Sequence, residues 1–173
     1  MSTLSLLRHA KAAHPTAHQN DFDRPLSERG RADAALIGER MTGLKIDLAV
    51  VSTARRTRET WDLARQSLQP APDLALEPGL YLSSAGSLIA RLREISDRFR
   101  HVLVIGHNPG LHEIAFWLAS SGASTLARSE MQRKFPTAAL AVFQLGETPW
   151  SALAPETARL DLFATPVVCI AGE

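Results

Sequence analysis

The chain has 173 residues, of which 45% are hydrophobic and 21% are charged, and its formal net charge is +1. This length predicts a single domain over residues 1–173. So balanced a charge does not indicate nucleic-acid binding, and no apolar run approaches the roughly 18 residues that span a bilayer. Cys169 is the single cysteine, which excludes an intrachain disulfide. A cytoplasmic location is therefore predicted.

The first half of the chain begins with an apolar strand over residues 3–7, which a loop over residues 12–25 follows. Ser27 can cap a helix that runs to about residue 41, and Gly43 can end it. A second apolar strand is predicted over residues 47–51, and a helix over residues 53–68 comes directly after it.

The second half continues the alternation of strands and helices. A weak strand, an amphipathic helix and a strong strand are predicted over residues 74–77, 87–99 and 101–105. Asn108 and Pro109 open another helix, which is predicted to end near Gly122. Two further strands are predicted over residues 137–145 and 158–163.

This alternation predicts an α/β fold, a three-layer αβα sandwich. Its central sheet is expected to be mostly parallel, with helices on both faces. The last two strands follow one another without a helix between them, so one antiparallel strand is predicted.

Polar side chains follow each of the three strong strands at its carboxyl end. The first strand leads into Arg8 and His9, the second into Ser52, and the third into His107 and Asn108. Ligands of open parallel sheets bind at this edge. The sequence therefore predicts that these residues converge on one site.

The helix after the second strand supplies a further cation to this edge. Ser52, Arg56 and Thr60 are spaced by four residues, so a helical path would place them on one face. The planar guanidinium of Arg56 suits phosphate oxygens. Arg55 and Arg58 face other directions and are expected to be solvated.

These features resemble the histidine phosphatase superfamily, and within it the SixA-type phosphohistidine phosphatases. The matching stretches are LLRHAKA, DFDRPLSERG, VSTARRTRET, LYLSSA, VLVIGHNPGL and KFPTAALAVF. They cover most of the chain. Where the family has Arg-His-Gly, this chain has Ala10 as the third residue, one small residue in place of another.

The resemblance implies that His9 attacks phosphorus and is transiently phosphorylated. Arg8, Arg56 and His107 would hold the phosphoryl oxygens. Asp21 would lie near the site in a catalytic or orienting role, although a turn or an ion pair with Arg24 is the simpler alternative. Candidate substrate contacts are Arg24, Ser52 and Asn108. A histidine nucleophile must be neutral, which an unperturbed pKa near 6.5 allows at neutral pH.

No metal or other cofactor is predicted. His14 and His18 are four residues apart, but Pro15 lies between them and no His-Glu-x-x-His motif occurs. The histidine-bearing loop over residues 12–25 can contact substrate or be plain surface. The basic segment over residues 126–134 can form a flap over the pocket or a solvated helix.

The leading hypothesis is a metal-independent phosphatase that acts through phospho-His9 on phosphohistidine in a signalling or phosphotransfer protein. Glu77 is the nearest candidate for a general acid, and we do not expect it to fill that role; a P–N bond needs such an acid less than an alkyl ester does. The alternatives are a phosphomonoesterase of small metabolites and a phospho-ligand binding module without turnover. The expected partner is thus a phosphorylated protein or small molecule, with no nucleic acid and no membrane, and the oligomeric state stays open.

Overall fold

The computed structural model describes residues 1–120, 126–167 and 169–171. The strands in these ranges are β1 (Ser2–Arg8), β2 (Leu48–Ser52), β3 (Asp73–Glu77), β4 (His101–Gly106), β5 (Leu140–Gly146), β6 (Arg159–Ala164) and β7 (Cys169–Ala171). The α-helices there are α1 (Glu28–Arg40), α2 (Arg55–Ala64), α3 (Ala85–Arg93), α4 (Gly110–Leu118) and α5 (Leu126–Arg133).

All of these strands belong to one sheet, in the order β3-β2-β4-β1-β5-β6-β7. The first four strands in that order pair in parallel. β5 runs antiparallel to β1, as the sequence predicts for one strand, and β6 and β7 continue the sheet with antiparallel pairs. The predicted α/β fold with a mostly parallel sheet is confirmed, and the short β7 is an addition that the sequence analysis missed.

The helices cover both faces of the sheet, because the strand residues alternate between two apolar cores. One core joins Leu4, Leu6 and Val104 to α3, α4 and α5. The other joins Leu7 and Ile105 to α1 and α2. No helix in the described ranges combines the length and the apolarity that crossing a bilayer requires.

Helix α3 ends earlier than its apolar spacing predicts. The pattern indicates a helix over residues 87–99, but α3 covers Ala85–Arg93. Beyond it, Trp150 donates hydrogen bonds from its backbone N to Asp97 Oδ1 and from Nε1 to the Phe99 carbonyl. These long-range bonds hold the chain in a loop, while Ile95 remains buried in the core.

Three other boundaries also differ from the predicted ones. α2 ends at Ala64 and continues as a short 3-10 turn over Arg65–Ser67. α4 ends at Leu118, and the predicted end at Gly122 lies outside the described residues. The strand predicted from residue 137 begins at Leu140, because Ala138 lies in a turn with φ of 57°.

α1 packs closely on the carboxyl end of α2, and Gly38 makes this close approach possible. A Cβ on Gly38 would lie 2.7 Å from both the Cα and the carbonyl oxygen of Ala64. We expect Gly38→Ala to lower the free energy of unfolding by about 1–3 kcal/mol, because backbone atoms must move to admit the methyl group. Urea denaturation followed by circular dichroism measures this change.

Gly86→Ala is the matched control, since Gly86 also lies in a helix but is exposed. A Cβ there would meet nothing closer than Ser84 Oγ at 3.8 Å. Its free energy of unfolding should stay the same or rise by up to about 1 kcal/mol through helix propensity. Equal effects of the two substitutions would contradict the close approach of α1 and α2.

Candidate active site

The carboxyl ends of β1, β2 and β4 lie side by side and bring the predicted residues together. In the sheet register Arg8 is opposite Gly106, so His9 and His107 both follow directly from paired positions. Their ring centroids are 5.1 Å apart. Parallel strands produce this convergence because their carboxyl ends share one edge.

His9 is held with one ring nitrogen facing the site. Its Nδ1 lies 2.7 Å from the carbonyl oxygen of Ala10, and a carbonyl can only accept, so Nδ1 carries the proton. The lone pair is therefore on Nε2, to which Arg56 Nε donates at 3.3 Å. The ring is 8% exposed, and its unprotonated nitrogen faces the guanidinium.

The backbone around His9 is fixed from three sides. The His9 N–H donates to the Gly106 carbonyl, and its own carbonyl accepts from the backbone N of Ala138. The next residue, Ala10, donates from its backbone N to Thr60 Oγ1 at 3.0 Å. Because Thr60 also bonds to the Arg56 carbonyl, α2 and the end of β1 are directly connected.

The Arg56 guanidinium presents two edges to different partners. Nε and Nη2 face the histidines: Nε lies 3.3 Å from His9 Nε2, and Nη2 lies 3.4 Å from His107 Nδ1. Nη1 and Nη2 also face Asp21, whose backbone carbonyl accepts at 2.6 Å and whose Oδ2 accepts at 3.0 Å. The side chain is only 5% exposed, so its charge lies in a largely desolvated place.

His107 is supported from behind by Ser52. His107 Nε2 lies 2.9 Å from Ser52 Oγ, and Ser52 is fully buried, so the ring separates it from the site. A hydroxyl can either accept or donate. When Ser52 donates to Nε2, Nδ1 of a neutral His107 can carry the proton and donate it toward the site.

Arg8 and Asn108 are joined through the carbonyl oxygen of Phe135. Arg8 Nη1 donates to it at 3.0 Å, and Asn108 Nδ2 donates at 2.9 Å. Arg8 Nε and Asn108 Oδ1 are buried without a hydrogen-bond partner among the described residues. A buried unpaired guanidinium N–H is costly and calls for an anionic partner.

Asp21 is drawn to the site by three donors from different elements. Besides Arg56, Arg24 Nη1 donates to Oδ1 at 2.8 Å and the Tyr81 hydroxyl donates to Oδ2 at 2.8 Å. The rest of the Arg24 guanidinium bonds to the Ala13 carbonyl. Arg24 thus fastens the loop over residues 12–25, and His14, within that loop, is exposed.

Burial and the local charges set the protonation states. Burial, with the nearby His107 and Arg56, lowers the pKa of His9 to about 3 despite the bond to the Ala10 carbonyl. Burial and Arg56 lower the pKa of His107 to about 4. The bonds from Arg24 and Tyr81, aided by Arg56, lower the pKa of Asp21 to about 2. At neutral pH both histidines are neutral and Asp21 is ionised.

The structure brings the predicted residues to one place but adds partners that the sequence analysis did not single out. Tyr81 and the Phe135 carbonyl are the additions; the stretch LYLSSA, already noted for its resemblance, was the available signal for Tyr81. Glu77 is occupied by bonds to Arg91. Within the described ranges, no group of three or more His, Cys, Asp or Glu side chains is placed to hold a metal ion.

Comparisons with known proteins identify a family and a relative that covers most of the chain. A family model described as the histidine phosphatase superfamily, branch 1, matches residues 4–102. An uncharacterized protein of Mycobacterium tuberculosis is 35% identical over 163 residues, which cover 92% of this chain and 99% of that protein.

Two solved structures have the same fold over nearly the whole chain. A SixA protein of Nakamurella multipartitia, provisionally assigned as a phosphohistidine phosphatase, has a TM-score of 0.83 at 28% identity and covers 96% of this chain and 97% of its own. Its Agrobacterium tumefaciens counterpart, with the same provisional assignment, has a TM-score of 0.76 at 25% identity, with 95% and 98% covered.

The burial of the two site histidines predicts their titration. An ordinary histidine with a pKa near 6.5 is mostly protonated at pH 5. We expect His9 and His107 to remain neutral there, because their pKa values lie near 3 and 4. Imidazole nitrogen shifts in a ¹H–¹⁵N spectrum, recorded from pH 8 to pH 5 without phosphate, measure this.

The same shifts predict a loss of stability in acid. The unfolded chain takes up protons at His9 and His107 near pH 6.5, whereas the folded chain takes up protons at these two residues only near pH 4 and below. The free energy of unfolding should therefore fall as the pH drops through this window. In the ¹H–¹⁵N spectrum, nitrogen shifts typical of a protonated His9 ring at pH 6 would contradict the argument that burial keeps this ring neutral.

Proposed function

Because the chain belongs to the histidine phosphatase superfamily and is a phosphatase, we propose that it works through a phosphohistidine intermediate on His9 and that its substrate is phosphohistidine in a protein. The observation that carries the proposal is the geometry of His9. Nδ1 carries the ring proton because it donates to the Ala10 carbonyl oxygen, and the lone pair on Nε2 is therefore directed at the guanidinium of Arg56.

The proposed reaction has two displacement steps at phosphorus. In the first, the His9 Nε2 lone pair forms a bond to phosphorus as the bond from phosphorus to the substrate nitrogen breaks. The substrate ring, protonated on its other nitrogen, keeps that electron pair and leaves as neutral imidazole, while phospho-His9 retains the proton on Nδ1. In the second, water attacks phosphorus and the bond to His9 Nε2 breaks. Phosphate leaves, the water proton passes to solvent, and neutral His9 is restored.

Three side chains are proposed to hold the phosphoryl oxygens as charge develops on them. The inner edge of Arg56, formed by Nε and Nη2, already faces His9 and His107. Arg8 Nε is a buried N–H without a protein partner in the described ranges. His107 Nδ1 can donate a third bond when Ser52 donates to Nε2. Such preorganised donors stabilise a phosphoryl-transfer transition state.

The ionised state of Asp21 supports a P–N bond as the substrate linkage. A carboxylate whose pKa is lowered to about 2 by Arg24 and Tyr81 cannot give a proton to a leaving alkoxide at neutral pH. An alkyl ester needs that proton, whereas an imidazole leaving group needs it less. Asp21 is instead proposed to orient Arg56 by accepting from the outer edge of the guanidinium, which Nη1 and Nη2 form.

The proposal also covers the partner, the metal requirement, the domain and the location. The partner is a phosphorylated signalling or phosphotransfer protein, and the reaction needs no metal. We also propose that residues 1–173 form a single histidine phosphatase domain. The single cysteine supports a reducing, cytoplasmic location.

A substrate panel tests the linkage and the nucleophile together. Wild type, His9→Ala and His14→Ala are assayed on a phosphohistidine protein, phosphoramidate and an alkyl phosphate, all in the presence of a metal chelator. We expect wild-type kcat/KM to be about 10²-fold higher for the P–N substrates, which is a typical contribution of the general acid that an alkyl ester lacks here. An alkaline quench should trap an acid-labile phosphoenzyme.

His9→Ala should abolish turnover and phosphoenzyme while keeping the wild-type circular dichroism spectrum, and His14→Ala, an exposed neighbour in the chain, should match wild type. Residual turnover in His9→Ala would overturn the nucleophile assignment. Equal rates on the alkyl phosphate would favour a general phosphomonoesterase. Phosphate binding without any turnover would indicate a binding module, and a rate that appears only with a divalent ion would refute the metal-free scheme.

Arg56 and Arg55 provide a matched pair of conservative substitutions. Arg56→Lys keeps the charge but loses the planar fork, whose nitrogens reach both His9 and Asp21. We expect kcat/KM to fall by about 10²-fold or more, the typical effect of losing one oxyanion donor. Arg55 is exposed and pairs with Glu59, so Arg55→Lys should leave kcat/KM unchanged. Steady-state kinetics on phosphoramidate measures kcat/KM for both variants. Similar values for the two would contradict the proposed role of Arg56.

A further inference from the structure

Tyr81 contacts three side chains of the site at once. It follows the 3-10 turn Pro78–Leu80 at the end of β3. Its hydroxyl donates to Asp21 Oδ2 at 2.8 Å. The ring meets His107 edge-on, with centroids 5.4 Å apart and an interplanar angle of 88°. Arg56 Cζ lies 5.7 Å from the centroid of the same ring.

The hydroxyl bond matters because Asp21 determines how Arg56 is turned. Asp21 takes both donors of the outer edge, and this directs the inner edge at His9 and His107. However, the Asp21 side chain is 47% exposed, at the start of the short 3-10 turn Asp21–Asp23. A half-exposed carboxylate can rotate into water, so its direction toward Arg56 needs a further anchor.

We infer that Tyr81 is a positioning residue of the phosphatase site: its hydroxyl fixes the Asp21 carboxylate on the outer edge of Arg56, so that the inner edge stays available to the phosphoryl group. This inference rests on the proposed function of Arg56 as a phosphoryl ligand. Without the hydroxyl, Oδ2 of Asp21 keeps only its bond from Arg56, while Arg24 still holds Oδ1. The carboxylate can then pivot about Arg24 toward the inner edge and compete with phosphate for the guanidinium.

The surroundings of Tyr81 agree with this role. Burial and the bond to Asp21 raise the pKa of the phenol, so it stays protonated and able to donate. Phe22, next to Asp21 in the chain, packs edge-on against the Tyr81 ring, with centroids 5.0 Å apart and an angle of 82°. Ring packing and the hydroxyl bond thus hold the same short segment of the loop.

The two contributions of Tyr81 can be separated by substitution. Tyr81→Phe removes the hydroxyl and keeps the ring against His107 and Phe22. Tyr81→Leu removes both. Because Tyr81 acts through Asp21 in this inference, the effect of Tyr81→Phe must depend on the Asp21 carboxylate. A merely structural role of the ring would not show that dependence.

The test is a double-mutant cycle of wild type, Tyr81→Phe, Asp21→Asn and the double variant. The readouts are kcat/KM on phosphoramidate and, independently of turnover, the dissociation constant of inorganic phosphate by titration calorimetry. With Asp21 intact, we expect Tyr81→Phe to lower kcat/KM and to raise the dissociation constant by about ten-fold each, as for losing a hydrogen bond to a charged group. In the Asp21→Asn background, both effects should shrink to less than about two-fold.

An unchanged dissociation constant in Tyr81→Phe, or an equal loss in both backgrounds, would overturn the inference. Thermal unfolding of Tyr81→Phe should stay close to wild type, and Tyr81→Leu should be the less stable of the two. Failure of the proposed function is a separate result, because it appears as turnover by His9→Ala or as the absence of a phosphoenzyme. In that case the calorimetric cycle still measures how the effects of Tyr81 and Asp21 on phosphate binding depend on each other.

Discussion

The buried charge of Arg56 is the constraint on which the rest of the site depends. A guanidinium that is almost fully removed from water is stable only when its donors are paired, and here they are divided between two edges. Asp21 neutralises the outer edge. The inner edge donates to His9 Nε2, which can accept only when it is unprotonated, and lies beside the His107 ring. This desolvated cation therefore explains the carboxylate beside it, and it adds to the burial of the rings, which is the larger cause of the lowered pKa values of His9 and His107.

That neutral state has a functional consequence. The burial that lowers the pKa of His9 also keeps its Nε2 lone pair available, which a nucleophile requires. Arg8 and Arg56 lower the pKa of this ring as well and leave the site with more positive than negative charge. Binding of a phosphoryl dianion would balance that excess. The same field thus favours an anionic substrate and an uncharged attacking group.

Backbone groups of one turn help to hold the residues of the site in place. The turn that contains Ala138 donates its N–H to the carbonyl oxygens of Arg8 and His9. The Phe135 carbonyl, at the start of the same turn, accepts from Arg8 and Asn108. This turn therefore connects β1 to the end of β4, and it explains why β5 begins three residues later than the predicted strand.

The sequence by itself determined the alternating strands and helices, the α/β fold and the convergence of Arg8, His9 and His107, because apolar runs define buried strands and parallel strands share one carboxyl edge. It placed Asp21 near the site only through a resemblance. The tertiary structure decided which edge of Arg56 faces Asp21, that Ser52 lies behind His107, and that Tyr81 takes part. These relations join residues as far apart in the chain as Asp21 and Tyr81, and local periodicity contains no information about such contacts.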